Sequence, residues 1–273
     1  MDRKLWLFLC LVVALGMLVL GARLSRAWEV EVMNKTVNQT NFIVSSGCSG
    51  TLISLKHRLI TTAYHCVRSD IRQIDEEKVV DGEVKKVQRE VRDEVNVEQK
   101  FYDGSSKVGS ASFQTSIVAY NKNHDLALLQ MKQKDIPQTL EVPVLPMGKE
   151  MVRGAVVWLI GNPAGLDATV TTGIISSVTR EMENPNGSRV AMLQSDAGAY
   201  FGSSGGSMVD DKGQLVGVIA RGIPGASVVL AVHYKHIRKL LDEACYGEVW
   251  DSTSKSHDVC IAEKKAKAEK AKK

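Results

Sequence analysis

Residues 48–66 read CSGTLISLKHRLITTAYHC, a stretch with two short apolar runs at 51–54 and 58–62. Similar runs recur from residue 42 to residue 237, separated by clusters of Gly, Asn, Asp and Ser. Many short strands at close spacing are typical of antiparallel architecture, so the sequence predicts an all-β barrel or sandwich. No segment repeats at a fixed period, which disfavours a propeller or a solenoid. The remaining runs lie at 116–120, 126–131, 155–160, 173–178, 190–194, 215–219 and 227–232.

The composition of the 273 residues is that of a globular protein, because 44% are hydrophobic and 24% are charged. Aromatic residues make up only 5%, which argues against recognition of single-stranded nucleic acid by base stacking. The formal net charge is +4, which equals the charge of residues 263–273 with their six Lys and two Glu. The basic charge therefore belongs to a tail and not to a folded face, and we expect no nucleic-acid partner.

The N-terminus carries the pattern of an export signal. Residues 5–22 read LWLFLCLVVALGMLVLGA without a charge, and Arg3 and Lys4 precede them. Small residues at both ends of the sequence SRA, 25–27, suit cleavage by a signal peptidase. The run is also long enough to span a membrane, so residues 1–27 are expected to be a signal peptide or a signal anchor. Either outcome predicts an extracytoplasmic protein, whether secreted, periplasmic or attached to a membrane through residues 5–22.

The cysteines support the same compartment. Cys10 lies within the apolar run, which leaves Cys48, Cys66, Cys245 and Cys260. An even number in an exported chain predicts two disulfides, for which three pairings are possible. We favour the local pairing, Cys48 with Cys66 and Cys245 with Cys260. None of the cysteines forms a C-x-x-C pair, so no metal site is expected.

Three further segments differ from the strand pattern. Residues 68–100 are densely charged around several Val residues and predict a surface insertion, either a hairpin or an exposed helix. Residues 233–244 place apolar side chains at helical spacing. The Lys, Ala and Glu repetition after Ile261 has no hydrophobic stripe, so we expect a frayed helix or a coil. This tail is either solvated or in contact with an anionic surface.

One loop is suited to hold a nucleophile. Residues 200–208 read YFGSSGGSM. A nucleophilic serine needs a tight turn that exposes its hydroxyl and directs backbone N–H groups to one point, and glycines permit such a turn. Taken alone, the string is equally compatible with a flexible loop.

Two other segments offer the partners that a nucleophilic serine requires. Residues 61–66 read TTAYHC, which places His65 at the end of a strand and beside a cysteine whose disulfide would hold it. Residues 124–130 read HDLALLQ, in which Asp125 opens a strand and could accept the proton of a histidine ring nitrogen. Separately, His65 could be a surface residue and Asp125 a turn-former.

Together these motifs stand in the order His, Asp, Ser along the chain. The sequence resembles the trypsin-like serine proteases of the chymotrypsin fold, in particular the bacterial HtrA (Deg) branch, over about residues 42–242. The residues that carry the resemblance are CSGTLIS at 48–54, LITTAYHC at 59–66, DLALL at 125–129, GNPAGL at 161–166, TTGIIS at 171–176, QSDA at 194–197 and GSSGG at 202–206.

The resemblance implies two antiparallel six-stranded barrels with the site in the cleft between them, followed by a C-terminal helix. It implies that Ser204 is the nucleophile, that His65 is the general base and then acid, and that Asp125 orients the imidazole. The N–H groups of Gly202 and Ser204 would form the oxyanion hole. Ser203 is a rival hydroxyl and His124 a rival base, but neither has the setting of the family motif. Residues 243–273 would form a C-terminal extension with the basic tail.

The implied activity is that of an exported serine endopeptidase that hydrolyses proteins or peptides through an acyl-enzyme and needs no cofactor. Gly198, which lies six residues before Ser204, matches the base of the primary pocket, and Ala220 and Gly222 match the edge strand of that pocket. Since no carboxylate stands at the base, we expect cleavage after small or medium apolar residues. Ser203 stands where trypsin-type zymogens have an aspartate, and no segment matches the PDZ domain common in HtrA proteins. The alternative is a protease-fold binding module without activity, and the oligomeric state stays open.

Overall fold

A computed structural model of the protein describes residues 31–38, 41–80, 83–103, 106–133, 150–184, 187–223 and 225–271. The strands are β1 (Phe42–Val44), β2 (Ser49–Ser54), β3 (Leu59–Thr62), β4 (Ile71–Val80), β5 (Glu83–Arg92), β6 (Glu94–Asp103), β7 (Ser106–Asn121), β8 (Leu126–Met131), β9 (Val156–Gly161), β10 (Thr169–Glu183), β11 (Arg189–Ser195), β12 (Ser207–Val209), β13 (Leu215–Gly222) and β14 (Val229–His233). One closed barrel has the strand order β1-β2-β3-β8-β7-β6, and a second has the order β10-β11-β14-β13-β12-β9. Neighbouring strands in both barrels pair antiparallel, which confirms the predicted fold class.

Strands at the junction of the two barrels are buried on both faces. In β8, Leu126 and Leu128 belong to an apolar cluster that includes residues of both barrels, whereas Leu129 and Met131 pack inside the first barrel. The alternation follows from the two-residue period of a strand, which directs successive side chains to opposite faces. A strand that is covered on both sides needs apolar residues at nearly every position, which explains why LALLQM reads as a continuous run.

Helices complete the fold at its two ends. Residues 31–38 form helix α1, and its Val37 reaches the cluster between the barrels. Helix α2 (Tyr234–Glu243) confirms the helix predicted from apolar spacing, and it buries Tyr234, Ile237 and Leu241 in the same cluster. The periodic apolar face of α2 therefore helps to hold the two barrels together.

The charged segment 68–100 divides into two parts with different environments. Strands β4 and β5 form a separate two-stranded sheet that protrudes from the barrels, so the hairpin alternative is the one observed. The remainder of the segment runs into β6, a barrel strand whose Val95 and Val97 are buried. The surface insertion is therefore shorter than expected, because alternate apolar side chains draw the segment after Asp93 into the first barrel.

The C-terminal extension is anchored to the fold by a disulfide. Cys245 is bonded to Cys260, and Cys48 is bonded to Cys66, so the predicted local pairing is confirmed. The bond between Cys245 and Cys260 joins the segment after α2 to helix α3 (His257–Lys270). Helix α3 contains most of the basic tail, and none of its residues is buried.

The predicted signal peptide or signal anchor, residues 1–27, lies outside the described residues. Among the residues that are described, no helix combines the length and apolar character that a bilayer span requires.

Candidate active site

His65 lies in a short 3-10 helix, Tyr64–Cys66, that follows β3 directly. The backbone of this turn is held by a hydrogen bond of 3.1 Å from the Tyr64 N–H to the Asp125 carbonyl. It is held a second time by the disulfide to Cys48, whose two sulfurs and the His65 imidazole nitrogen lie within 4.8 Å of one another. Because both sulfurs are engaged in the disulfide, this group offers no thiolate ligands to a metal. The arrangement restrains the histidine from both sides.

Asp125 holds both the backbone and the ring of His65. Its Oδ1 accepts a hydrogen bond of 2.9 Å from the His65 N–H, and its Oδ2 lies 2.8 Å from Nδ1 of the same residue. Asp125 adopts a left-handed φ of 52° at the turn before β8, a conformation that aspartate tolerates better than most residues. A buried carboxylate in this position keeps the proton on Nδ1 and leaves Nε2 free to accept one.

Two glycines shape the turn that carries Ser204. Gly202 has a φ of 98°, and a Cβ at this residue would lie 2.3 Å from the Asn162 carbonyl oxygen. Gly205 has a φ of 87°, and a Cβ there would lie 2.0 Å from the Ser49 carbonyl oxygen. No other residue type fits either position without moving the backbone. The glycines identified in the sequence are therefore required by the close approach of neighbouring chains.

The structure places the Ser204 turn against the element that carries His65. The Ser204 carbonyl accepts a hydrogen bond of 2.8 Å from the Ser49 N–H, and it lies 3.9 Å from Sγ of Cys66. The Ser204 hydroxyl donates to the Ala220 carbonyl at 3.4 Å, which is a long contact. The serine turn thus sits between β13 of the second barrel and the disulfide beside His65.

The two backbone groups predicted for the oxyanion hole have no acceptor. Within the described ranges, neither the Gly202 N–H nor the Ser204 N–H donates a hydrogen bond, although the neighbouring N–H groups of Ser203 and Gly205 do. Both N–H groups are therefore available to a ligand oxygen at the serine turn.

The rival candidates point elsewhere. Ser203 is only 4% exposed, and its hydroxyl accepts a hydrogen bond of 3.3 Å from the Tyr200 N–H. His124 stacks on His236 of helix α2 with ring centroids 3.9 Å apart. Burial and the charge of Lys239 lower the pKa of His124. Both residues are thus engaged in contacts within the fold, while His65 faces the cleft.

The predicted primary pocket is lined by small residues. The Gly198 carbonyl accepts a hydrogen bond of 2.6 Å from the Thr171 hydroxyl, and a Cβ on Gly198 would meet only Thr171, at 3.8 Å. Ala220 is buried, whereas Gly222 is exposed at the end of β13. None of these three positions carries a side chain larger than a methyl group.

Sequence reasoning missed two groups of residues at the site. Ser49 links the barrels, because its hydroxyl donates to the Gly202 carbonyl at 2.7 Å and accepts from the Asn162 N–H at 2.8 Å. A cleft of about 420 Å³ beside His65 and Asp125 is lined by further side chains to which the sequence assigned no role. These are Tyr64, Arg68, Lys122, Asn184 and Arg221, from separate segments of the chain. Tyr64 lies inside the histidine motif and Arg221 between two predicted pocket residues, whereas no motif indicated the other three.

Comparison with known proteins agrees with this geometry. The family model of the trypsin-like peptidase domain matches residues 48–218, which is more than half of the chain. Serine endoprotease DegS of Escherichia coli K12 is 39% identical over 108 residues, which cover 39% of this chain and 29% of DegS. Protease Do-like 1, chloroplastic, of Arabidopsis thaliana is 35% identical over 111 residues, covering 39% of this chain and 24% of that protein.

A third relative shows the same partial coverage. Serine protease Do-like HtrA of Lactobacillus helveticus is 32% identical over 118 residues, covering 41% of this chain and 28% of the relative. The alignments with these three relatives span less than one third of the relatives' length. These relatives confirm the resemblance to the HtrA branch. With its two barrels and the matched family model, the chain belongs to the trypsin-like peptidase family.

Proposed function

We propose that the protein is an exported serine endopeptidase in which Ser204, His65 and Asp125 form the catalytic triad. The observation that carries this proposal is the pair of contacts between His65 and the Asp125 carboxylate, one from the backbone N–H and one from Nδ1 of the ring. Such a pair of contacts selects one tautomer and one orientation of the imidazole, as general-base catalysis requires. A second support is that the chain belongs to the trypsin-like peptidase family, whose members use this chemistry.

The reaction proceeds in two halves. The Ser204 hydroxyl gives its proton to Nε2 of His65 as Oγ bonds to the substrate carbonyl carbon, and the resulting oxyanion accepts hydrogen bonds from the Gly202 and Ser204 N–H groups. The C–N bond then breaks, and the leaving amine takes the proton from Nε2. Water then attacks the acyl carbon and gives its proton to Nε2 of His65. The bond between this carbon and Oγ breaks, Oγ takes the proton from Nε2, and the carboxylic acid product leaves. Each oxyanion donor lowers the barrier by about 3 kcal/mol.

We propose cleavage after small or medium apolar residues. The support is the pocket, in which Gly198 and Gly222 leave space and contribute no charge. A peptide library in which only the residue before the scissile bond varies would test this preference. Dominant cleavage after Lys or Arg would contradict it.

We also propose that the protein works outside the cytoplasm. The two disulfides indicate an oxidising environment, in which such bonds form and persist. The apolar run at 5–22 supports export, either as a cleaved signal or as a membrane anchor. Mass mapping of the mature N-terminus after expression in a secreting host would distinguish these two outcomes.

Labelling by a fluorophosphonate probe tests the central proposal. The wild-type chain and a Ser203→Ala control should react, whereas Ser204→Ala should not, because we assign the nucleophile to Ser204, and Ser203 is buried with its hydroxyl engaged by the Tyr200 N–H. Peptide hydrolysis should be lost in the same variant. Labelling that persists in Ser204→Ala would contradict the assignment of the nucleophile. A wild-type chain that does not react would favour a binding module without activity.

A further inference from the structure

The cleft beside His65 carries an excess of positive charge. Arg68, Lys122 and Arg221 contribute side chains to its wall. Among the described residues, Asp125 is the only carboxylate that lines the cleft, and both of its oxygens are engaged by His65. A concave surface with three cations and one occupied carboxylate attracts a negatively charged group.

The three cations come from separate elements and converge on this one cleft. Arg68 opens a second 3-10 turn that follows His65, and Arg221 lies on β13. Lys122 lies in the turn between β7 and β8. Since these segments are distant in sequence, the charge cluster is a product of the tertiary fold and is not a local run of basic residues.

Two of the three cations, Arg221 and Lys122, lie against uncharged side chains. The carboxylate near Lys122 is Glu90, whose pKa is lowered first by the hydrogen bond from the Tyr120 hydroxyl and in smaller part by the Lys122 charge. The Arg221 guanidinium donates to the amide oxygen of Asn184 at 2.6 Å. The Lys122 ammonium lies 6.0 Å from the Tyr64 ring centroid and 5.8 Å from that of Tyr120. Across the ranges that the structure describes, no carboxylate forms an ion pair with any of these three cations.

Nearby carboxylates are committed to other partners. Glu90 pairs with Arg92 at 2.7 Å and also bonds to the Tyr120 hydroxyl. Asp93 pairs with Arg72 at 2.7 Å. Because Arg68, Lys122 and Arg221 form no ion pair with a described carboxylate, their side chains retain hydrogen-bond donors for a carboxylate of a ligand.

We propose that this cleft binds an acidic side chain of the substrate, at the second, third or fourth residue before the scissile bond. The inference rests on the proposed function and on the resemblance that places Ala220 and Gly222, on β13, at the edge of the primary pocket. A substrate whose residues before the scissile bond follow this strand would bring one of their side chains beside His65 and into the cleft, where Arg221, Arg68 and Lys122 lie. The protein would thus combine an apolar primary pocket with an acidic preference next to it.

Matched peptides test the subsite in the active protein. Quenched fluorescent peptides with Val at the cleavage position would carry Glu or Gln at each of the three preceding positions. We expect kcat/KM to favour Glu by about tenfold at one position, because several partly exposed charges contribute together. The preference should shrink when ionic strength rises from about 0.05 M to about 0.5 M. Equal rates for Glu and Gln at all three positions would overturn the proposal.

Variants identify the charges that act. Arg221→Gln should reduce the ratio of the Glu rate to the Gln rate to about threefold or less, and because this ratio is taken within one variant, a change in the rate common to both peptides cancels. Arg189→Gln is the matched control, because Arg189 is an exposed arginine of the same barrel that faces Glu181 and lies outside the cleft. An Arg221→Gln protein that keeps the full preference would contradict the role of this residue. Thermal unfolding of each variant checks that the fold is intact.

A binding measurement separates this inference from the proposed function. The Ser204→Ala protein should bind the Glu peptide about tenfold more tightly than the Gln peptide in fluorescence anisotropy, and Arg221→Gln in that background should reduce the difference to about threefold or less. If no peptide is hydrolysed but this difference persists, the subsite stands and the catalytic proposal fails. If peptides are hydrolysed without any difference in rate or binding, the catalytic proposal stands and the subsite is refuted.

Discussion

The serine turn has no space for a side chain at Gly205. A Cβ at this residue would lie 2.0 Å from the Ser49 carbonyl oxygen and 2.3 Å from the Thr62 hydroxyl. These two atoms belong to β2 and β3, the strands that precede His65. The glycine therefore sets how closely the second barrel can bring Ser204 to the first.

Gly205→Ala should lower both stability and activity. The side chain would be strained at a φ of 87° and would also push the turn away from Ser49. We expect a loss of at least about 2 kcal/mol of unfolding free energy and a large drop in fluorophosphonate labelling. Denaturant unfolding and the labelling rate are the two measurements.

Gly225→Ala is the matched control for that substitution. Gly225 has a comparable φ of 78°, but a Cβ there would meet nothing within 4 Å. Its cost should be about 1 kcal/mol without a change in labelling. If the two variants behaved alike, backbone strain and not the contact with Ser49 would explain the effect.

At the scale of elements, the first disulfide joins the two ends of a hairpin. The bond between Cys48 and Cys66 joins cysteines 18 residues apart, and the loop that it closes contains β2 and β3. Cys66 lies in the 3-10 helix that also contains His65. The second disulfide joins cysteines 15 residues apart and ends on the C-terminal helix α3. The two bonds therefore have comparable loop sizes and different neighbours.

Removal of the first disulfide should affect activity more than removal of the second. The double variant Cys48→Ala/Cys66→Ala should lose about 2–4 kcal/mol of stability and should label more slowly, because His65 loses one of its two restraints. The double variant Cys245→Ala/Cys260→Ala should keep the wild-type labelling rate. Urea unfolding and labelling kinetics measure the two effects, and an unchanged rate in the first variant would show that Asp125 alone suffices.

At the scale of the whole molecule, a histidine stack connects the first barrel to helix α2. His124 of the turn before β8 lies against His236, and the opposite side of α2 packs between the barrels. Burial, together with the charges of His124, Lys239 and Lys235, lowers the pKa of His236 to about 4. Protonation of this ring is therefore disfavoured in the folded protein.

The stability of the protein should fall in mild acid. Between the ordinary histidine value of about 6.5 and the folded value of about 4, the unfolded chain binds the proton at His236 and the folded chain does not. The unfolded state therefore binds more protons in this window, and unfolding becomes easier as the pH falls through it. Urea midpoints at pH 7 and near pH 4.5 would show the loss, and His236→Gln should make it smaller. A variant that loses as much stability as the wild type would contradict this origin.

Local patterns in the sequence predicted an all-β barrel or sandwich, and the resemblance to the trypsin-like family added the two six-stranded barrels that the structure confirms. The period of apolar residues predicts strands such as β8 and the helix α2, because periodicity records which face of an element is buried. The pairing of the cysteines was also predicted, since both bonds are local. The limits of the charged insertion were predicted less well, because β6 is nearly as polar as the hairpin that precedes it.

The contacts of the rival candidates and the wall of the cleft depended on the tertiary structure. The resemblance already favoured Ser204 over Ser203 and His65 over His124, and the structure adds that Ser203 is buried and that His124 stacks on His236. The cationic wall that includes Arg68 and Lys122 has no sequence signature at all. Periodicity is a property of a single segment, whereas a site is made by contacts between segments far apart in the chain, and these contacts exist only once the two barrels have packed against each other.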